Sequence, residues 1–539
     1  MIADVIGSYL DTLEEREFDA PFMALLRSLG FYDIHFLHGS FEFGKDFIAK
    51  RTDEGAVVQY AFQTKAGDLG LTEWRTCQYQ IDELRINALA HPSFNSQIPR
   101  KAIFVTTGRL IGGAGLQAHQ YHEHLQRLGE LDFVTWDRER LIELMVDTPE
   151  VGLAASTDGA LLELLGHIDQ RRIREDEIER FSRRWCGSTG TKTLQTSALE
   201  AAVVANRLRR HDRIDQACFV GLGLVRASWV EAHGKVPADQ QALWSADTGR
   251  ALFRHYALDL LGNCDEDLLD PLNVLHNDAA SYITYPARCM RLIELLGLLT
   301  LLESESGDVL MNKTADFLAA FIEKNPGTVH PLSDRWAVSL IPPTLALVRS
   351  GHRQQVEPLL EQVVKWVADR YEAENFGLAG PNASTEEEVG QLLGGPFEHI
   401  QIERRAESYI ATVVLDVAAV LEMGDLFTLA RNEFLAVDIV LPVVEAPDTP
   451  TQYLVEGEGL CYTANMEFAD AWAPIDGWKV APHHRRTLTS YLPRIGRPWD
   501  LLAVSAVLRD RHFVEALRHF GSSGRGGQDR RTEIEQSSG

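Results

Sequence analysis

The chain has 539 residues, of which 45% are hydrophobic, 24% charged and 9% aromatic. This composition is that of an ordinary globular protein and excludes wholesale disorder, a collagen-like repeat or a disulfide scaffold. The 52 basic and 78 acidic residues give a net charge of −26, which disfavours nonspecific adhesion of the whole surface to nucleic acid. Any contact with a polyanion must therefore be local, metal-assisted or dependent on a partner.

The first 150 or so residues predict a mixed α/β unit. Two helical patterns come first, and the second ends at Gly30. The strands and helices predicted after it are strands at 32–37, 43–50 and 57–65, a helix at 72–90, a strand at 102–107, a helix ending near 128, a strand at 132–136 and a helix at 138–145.

From about residue 161 the alternation typical of strands nearly disappears and amphipathic helical stretches dominate. Glycine- and proline-containing loops separate these stretches, notably residues 376–396. We therefore expect residues 1–155 to form an α/β domain, residues 156–520 a large all-α, solenoid-like domain, and residues 521–539 a disordered tail.

No feature of the sequence points to a membrane or an oxidising compartment. The N-terminal segment MIADVIGSYLDTLEE lacks a basic start followed by an apolar run. The most apolar stretch, residues 287–302, carries three charges and is too short to span a bilayer. The six cysteines lie far apart and form no CxxC pair. We expect a cytoplasmic protein with no membrane contact and no zinc site built on cysteine pairs.

The segment FEFGKDFIAKRTDEGAVVQYAFQTKAG, residues 41–67, predicts a β-hairpin that turns at Glu54-Gly55. Paired residues then have numbers that sum to 109, so Asp46 faces Gln63 and Phe47 faces Phe62. Because side chains alternate, the apolar residues form one face, and Asp46, Gln63 and Lys65 lie together on the other.

A carboxylate beside an amide oxygen is a hard-oxygen site suited to Mg²⁺ (or Mn²⁺), and a neighbouring lysine can orient water or neutralise a phosphoryl group. An acid from the preceding helix would complete the site, with Asp19 the first choice and Glu17 the second. The competing interpretation is a solvated strand face beside a solvated helix end.

Residues 18–146 resemble the Mrr-like branch of the PD-(D/E)xK restriction endonuclease superfamily. The resemblance depends on the helix FDAPFMALLRSLGF, then GKDFIA, then QTK, then the late strand AIFVTTGRL followed by a helix. It covers about a quarter of the chain. It implies a restriction-endonuclease-like fold, with Asp46 as the metal-binding aspartate, Gln63 in place of the usual acid and Lys65 as the catalytic lysine. Asp19 stands where the helix acid is expected, although Glu is commoner there.

The resemblance implies Mg²⁺-dependent hydrolysis of phosphodiester bonds, most often in double-stranded DNA. The large helical domain suggests a regulated effector of a phage-defence or restriction system, with a protein partner or a small-molecule activator bound by the helices. Homo-oligomers are expected, because cutting both strands needs two sites. The alternatives are a catalytically inactive scaffold that binds nucleic acid or protein, and an RNase on the same core.

Other motifs carry weaker signals. Gly112, Gly113 and Gly115 lack phosphate-loop spacing and predict a strand-to-helix turn. Three histidines at 119, 122 and 124 share one helix without an HExxH pattern, which favours a polar helix surface. Basic clusters at residues 171–174, 207–213 and 483–486 are either solvated faces or local contacts for a phosphate backbone.

Overall fold

We describe the fold from a computed structural model of the chain. The residues that the structure describes are 1–37, 46–86, 91–95, 97–128, 132–155, 159–187, 191–232, 240–264, 284–304, 308–394, 402–445, 460–463 and 497–509. The predicted disordered tail and the basic cluster at 483–486 lie outside them. The chain divides into two compact units, Met1–Leu162 with Thr191–Val203, and Glu163–Gly190 with Val204–Gly539. The predicted domain boundaries at residues 155 and 520 stay predictions.

The first unit contains a five-stranded mixed sheet flanked by helices. Its strands lie in the order β1-β2-β3-β4-β5; β1, β2 and β3 pair antiparallel, and β3, β4 and β5 pair parallel. The elements in chain order are α1 (Ile2–Leu10), α2 (Glu15–Ser28), β1 (Tyr32–Phe36), β2 (Phe47–Asp53), β3 (Ala56–Lys65), α3 (Leu71–Ile86), β4 (Arg100–Thr106), α4 (Ala114–Arg127), β5 (Asp132–Trp136), α5 (Arg138–Met145) and a 3₁₀ helix, Pro149–Leu153. The predicted α/β architecture of this region is confirmed.

The predicted hairpin register is confirmed. Phe47 pairs with Phe62, and the pairing continues without a slip to Asp53 and Ala56. The two turn residues, Glu54 and Gly55, have φ of +50° and +85°. Positive φ at both central positions is the two-residue turn whose twist matches that of paired strands, and glycine adopts it without strain.

Both faces of the sheet are buried, which makes the unit a three-layer α/β/α structure. On one face Phe22 of α2 lies 5.3 Å and 5.4 Å from Phe47 and Phe62, measured between ring centroids. On the other face Trp74 of α3 packs edge-on against Phe104 of β4. Each such aromatic pair contributes about 0.5–1.5 kcal/mol beyond the burial of its area. The second face is therefore apolar along most of its length, and the predicted polar cluster lies only at the end of the strands.

The carboxyl ends of the parallel strands β3 and β4 meet at one edge of the sheet, where Lys65 pairs with Thr106. The chain segments that follow these strands cross in direct contact at Gly108. A Cβ built on this residue would lie 2.1 Å from the carbonyl carbon of Gly67. Hydrogen bonds fix the crossing, including one of 2.8 Å from the Thr106 hydroxyl to the Gly67 carbonyl. The backbone directly after Lys65 is therefore held in place.

The second unit is mostly helical, as predicted, within the part of the chain that the structure describes. Its elements are the rest of α6 (Gly159–Asp169), α7 (Glu175–Arg183), the rest of α8 (Thr191–Arg210), α9 (Ile214–Ala232), α10 (Gln240–Asn263), α11 (Tyr285–Glu303), α12 (Asp308–Lys324), α13 (Ile341–Arg349), α14 (Val356–Tyr371), α15 (Thr385–Leu393), α16 (Tyr409–Val420), α17 (Gly424–Ala436), β6 (Pro442–Glu445), β7 (Leu460–Thr463) and α18 (Pro498–Leu508), with 3₁₀ helices at Arg184–Gly187, Pro326–Val329, Asp334–Leu340 and Arg353–Gln355. The solenoid-like stacking stays a prediction.

Two elements correct the sequence interpretation. Helix α15 lies inside residues 376–396, which we expected to be a loop. A capping box stabilises the start of this helix, because the Glu387 carboxylate accepts the Ser384 N–H at 2.7 Å. Residues 336–348 are one of the amphipathic stretches that the sequence predicts to be helical. They begin instead within a 3₁₀ helix, and the α-helix starts at Ile341, just before two prolines. Proline fits the first turn of a helix because its missing N–H has no partner there.

Buried charge also ties the helices of the second unit together. Asp500 of α18 is fully buried and accepts hydrogen bonds from Arg250 at 2.8 Å and from the Trp229 indole at 3.1 Å. These bonds join α18 to α9 and α10. Removing one partner of such a pair leaves a buried charge uncompensated and costs about 3–5 kcal/mol.

Five cysteines have described side chains, and all five are buried free thiols: Cys77, Cys186, Cys218, Cys264 and Cys289. Burial raises the pKa of the Cys77 and Cys186 thiols and raises that of Cys264 to about 12. Within the same residues, no helix combines the length and apolarity needed to cross a bilayer.

Candidate functional site

The predicted cluster lies at the end of the sheet where β2 begins and β3 ends. Asp46 directly precedes β2, and its backbone is bonded to both neighbouring strands. Its N–H donates to the Phe62 carbonyl of β3 at 2.8 Å, and its carbonyl accepts the N–H of Leu37, just after β1, at 2.8 Å. The backbone at Asp46 is therefore fixed between two strands before the side chain is considered.

One oxygen of the Asp46 carboxylate receives three hydrogen bonds. Oδ2 accepts from Gln63 Nε2 at 2.7 Å, from the Thr64 N–H at 2.6 Å and from the Thr64 hydroxyl at 2.8 Å. Among the residues that the structure describes, Oδ1 has no hydrogen-bond donor. Hydrogen bonds thus hold the carboxylate through Oδ2, and Oδ1 is left as a possible ligand atom.

The Gln63 amide faces Asp46 with its nitrogen, because an ionised carboxylate can only accept hydrogen bonds. Its carbonyl oxygen makes no hydrogen bond with another described residue. Only 3% of the Gln63 residue is exposed, whereas 23% of the Lys65 side chain is exposed. The Gln63 amide therefore lies at the buried side of the cluster, and the Lys65 ammonium group lies at its solvent-exposed side.

The helix acid that contacts the cluster is Glu15, the first residue of α2. Its carboxylate Oε1 lies 3.0 Å from Lys65 Nζ. The sequence favoured Asp19 and then Glu17, and Glu17 is engaged elsewhere: its carboxylate accepts the Glu14 N–H at 3.0 Å as part of a capping box. Asp19 follows Glu15 by four residues and so lies on the same side of α2, one turn along.

The electrostatics of the cluster centre on Asp46. Burial raises the pKa of this carboxyl, the hydrogen bonds from Thr64 and the charge of Lys65 oppose the rise, and the charge of Glu15 adds to it. Burial is the largest of these effects, and a cation bound beside Asp46 would lower this pKa.

The donor set fits a weakly held Mg²⁺ or Mn²⁺. Asp46 Oδ1, the Gln63 carbonyl oxygen and a Glu15 carboxylate are hard oxygen ligands, and Mg²⁺ commonly binds one or two carboxylates and keeps several waters. No three His, Cys, Asp or Glu side chains of the described residues form a group that could hold a metal ion. The protein's own ligands are therefore few, and substrate oxygens would have to add to them.

The weaker motifs have structural roles in the described parts of the chain. The glycine-rich segment is the turn from β4 to α4, as predicted, and Gly112 has φ of +59°. On α4 His122 Nδ1 lies 2.6 Å from the Phe133 carbonyl oxygen. In the basic cluster at 207–213, Arg207 and Arg209 form ion pairs with Asp169 and Asp259.

Sequence reasoning missed two members of the site, Glu15 and Thr64. Glu15 is one of four acids around the start of α2, and no sequence signal distinguishes the one that reaches the sheet. Thr64 lies between Gln63 and Lys65 and is expected on the opposite face of a regular strand.

This chain matches no protein-family model, no curated protein and no solved structure.

Proposed function

We propose that the first unit is a Mg²⁺-dependent endonuclease that hydrolyses phosphodiester bonds of DNA. The observation that carries this proposal is the convergence of Asp46, Gln63 and Lys65 at one end of the sheet, with a 2.7 Å bond between the first two. The carboxyl edge of parallel strands is also the usual position for ligand sites in open α/β sheets.

The order of the elements supports the restriction-endonuclease-like fold. Helix α2 is followed by three antiparallel strands, then by α3 and the parallel strand β4. The candidate residues lie at β2 and β3, at the positions that the resemblance to the Mrr-like branch of the PD-(D/E)xK superfamily implies.

The side chains have complementary tasks in this proposal. Asp46, Gln63 and Glu15 would hold Mg²⁺, which when bound polarises a phosphate and lowers the pKa of a coordinated water. The Lys65 ammonium would bind a non-bridging phosphate oxygen and offset the negative charge that builds on it. Glu15 keeps this ammonium at the site before substrate arrives.

The second unit would sense a signal, bind a protein partner or a small-molecule activator, or drive self-assembly into a pair of active sites. A net charge of −26 repels DNA over most of the surface, which would keep cleavage low until a trigger brings substrate and site together. These features suit a regulated effector of phage defence or restriction.

One observation favours a second candidate, a nuclease-like scaffold that binds nucleic acid without cutting it. The only carboxylate directly bonded to Gln63 and Thr64 in the described residues is Asp46, and the Lys65 ammonium is already paired with Glu15. A site with so few charges could hold a phosphate and fail to activate water.

Incubation of supercoiled plasmid with the purified full chain and Mg²⁺ or Mn²⁺ separates the two candidates. We expect nicked and linear products from the wild-type chain, and at least about 100-fold slower product formation by Lys65→Ala or Asp46→Asn prepared identically. An equimolar RNA substrate tests the RNase alternative. Equal cleavage by all three proteins would identify a contaminant and reject the assignment, while metal-independent DNA binding without products would support the scaffold.

A further inference from the structure

Thr64 supplies most of the hydrogen bonds that hold the Asp46 side chain. Its backbone N–H and its hydroxyl both donate to Oδ2, at 2.6 Å and 2.8 Å, and Gln63 supplies the third bond. Thr64 is the middle residue of the QTK segment, the position that neither the metal-ligand pattern nor the lysine role explains.

Among the residues that the structure describes, the Thr64 hydroxyl donates to Asp46 alone. Thr64 is 1% exposed, so water cannot substitute for the bond it makes. Asp46 precedes the paired part of β2, and its backbone bonds leave the rotation of its side chain open. Hydrogen bonds to an ionised carboxylate are shorter and stronger than those between neutral groups, and two from one residue define a direction.

We propose that Thr64 is a positioning residue, whose hydroxyl and N–H together bind Oδ2 of Asp46 and turn Oδ1 toward the metal and the scissile phosphate. This inference rests on the proposed function. Groups that orient a metal ligand from behind typically change metal affinity or activity by about 10- to 100-fold when they are removed. Thr64 would therefore contribute to metal binding without touching the metal.

Two substitutions separate the hydroxyl from the shape of the side chain. Thr64→Val keeps the branched shape and removes the donor, whereas Thr64→Ser keeps the donor and removes a methyl group. We expect Mn²⁺ affinity, measured by isothermal titration calorimetry on the full chain, to fall about 10- to 100-fold in Thr64→Val and to stay within about 3-fold of wild type in Thr64→Ser. Thr106→Val, which removes a buried hydroxyl from the neighbouring strand, serves as a matched control for stability.

A second readout does not need metal or activity. In the wild-type chain Oδ2 of Asp46 lies 2.6 Å from the Thr64 nitrogen and 2.8 Å from its hydroxyl. A crystal structure of Thr64→Val should show the Asp46 side chain rotated away from this position. Thr64→Ser should keep the wild-type orientation, because its hydroxyl still donates to Oδ2.

The outcomes distinguish this inference from the proposed function. A rotated Asp46 side chain together with weaker Mn²⁺ binding in Thr64→Val, both restored in Thr64→Ser, supports both. A rotated side chain in a chain that binds no Mn²⁺ and cuts no DNA leaves Thr64 as the group that orients Asp46 and removes the nuclease assignment. An Asp46 side chain that keeps its wild-type orientation in Thr64→Val, with a loss of stability like that of Thr106→Val, shows a merely structural hydroxyl and overturns the inference.

Discussion

Replacing Asp46 by asparagine should greatly slow cleavage with little change in the stability of the fold. The three donors that bond to Oδ2 all require an acceptor, and the amide oxygen of asparagine supplies one in the same place. The amide nitrogen then takes the place of Oδ1 and presents hydrogens where a metal ion would bind. The hydrogen-bonded position is kept, and the ligand is lost.

The effect on stability follows from the pKa of Asp46. Burial raises this pKa in the folded chain, so the wild-type protein loses stability as pH rises through it, whereas an amide does not titrate. The substitution removes this loss of stability, but three hydrogen bonds lose their charged acceptor. A typical hydrogen bond has a net contribution of about 0.5–1.5 kcal/mol. We expect the free energy of unfolding of Asp46→Asn at neutral pH to lie within about 1 kcal/mol of wild type.

Asp33→Asn provides a control at a carboxyl whose pKa is shifted in the opposite direction. Hydrogen bonds from Lys50 and His35 hold the pKa of Asp33 at about 2, so its charge stabilises the fold above the usual aspartate range and this stability is lost as pH falls toward 2. The same chemical change there should lower stability at neutral pH and leave Mg²⁺ dependence unaltered.

The assays are urea unfolding at neutral pH and plasmid cleavage across a Mg²⁺ series. We expect Asp46→Asn to cut at least about 100-fold more slowly, since even groups behind a ligand account for 10- to 100-fold. Loss of several kcal/mol of stability in Asp46→Asn, or cleavage at the wild-type rate, would refute the reasoning.

Four further experiments test the site and its support. Lys65→Ala should slow cleavage about 100- to 1000-fold. Its free energy of unfolding should change by no more than about 1 kcal/mol, because the ion pair of Lys65 is partly exposed. A large fall in melting temperature would contradict the stability prediction. Glu15→Gln should raise the Mg²⁺ concentration for half-maximal cleavage about 10-fold. Its control, Glu17→Ala, should only lower the free energy of unfolding by about 0.5–1 kcal/mol, because a helix cap is lost. Equal Mg²⁺ dependence in both variants would remove Glu15 from the metal site. Mg²⁺ should bind the free chain weakly and bind more tightly with DNA present, since an amide replaces one of the usual acids; calorimetry showing equal affinity would argue against a shared site. Gly108→Ala should destabilise the chain by about 1–3 kcal/mol or more, because its Cβ would meet backbone at 2.1 Å, whereas Gly113→Ala meets only a leucine side chain at 3.6 Å and should unfold at nearly the wild-type temperature.

The turn and the register of the hairpin could be predicted from the sequence, although β2 extends to Asp53, beyond the predicted end at residue 50. A two-residue Glu-Gly turn and an alternating apolar run define the pairing, and the observed pairs from Phe47 with Phe62 to Asp53 with Ala56 follow it. A shift by one residue would have moved the aromatic side chains away from α2, so the energetic difference between registers is large. The same regularity brought Asp46 to Gln63.

The remaining site residues depend on tertiary geometry. Which acid at the start of α2 reaches Lys65 is decided by the rotation of that helix on the sheet, and all the candidates are equally polar in the sequence. The role of Thr64 depends on an Asp46 side chain that reaches past the end of a strand, where alternation no longer applies. Helix α15, in contrast, had a readable signal, a serine followed three residues later by glutamate.

The burial of the five described thiols makes each one a built-in reporter of local opening. An alkylating reagent reacts with the thiolate, so a shielded thiol of raised pKa is labelled only when the segment around it opens. Cys77 on α3 would report on the first unit, and the other four would report on the second. Labelling followed by mass spectrometry could then show which unit loosens first when a candidate trigger is added, without any introduced probe.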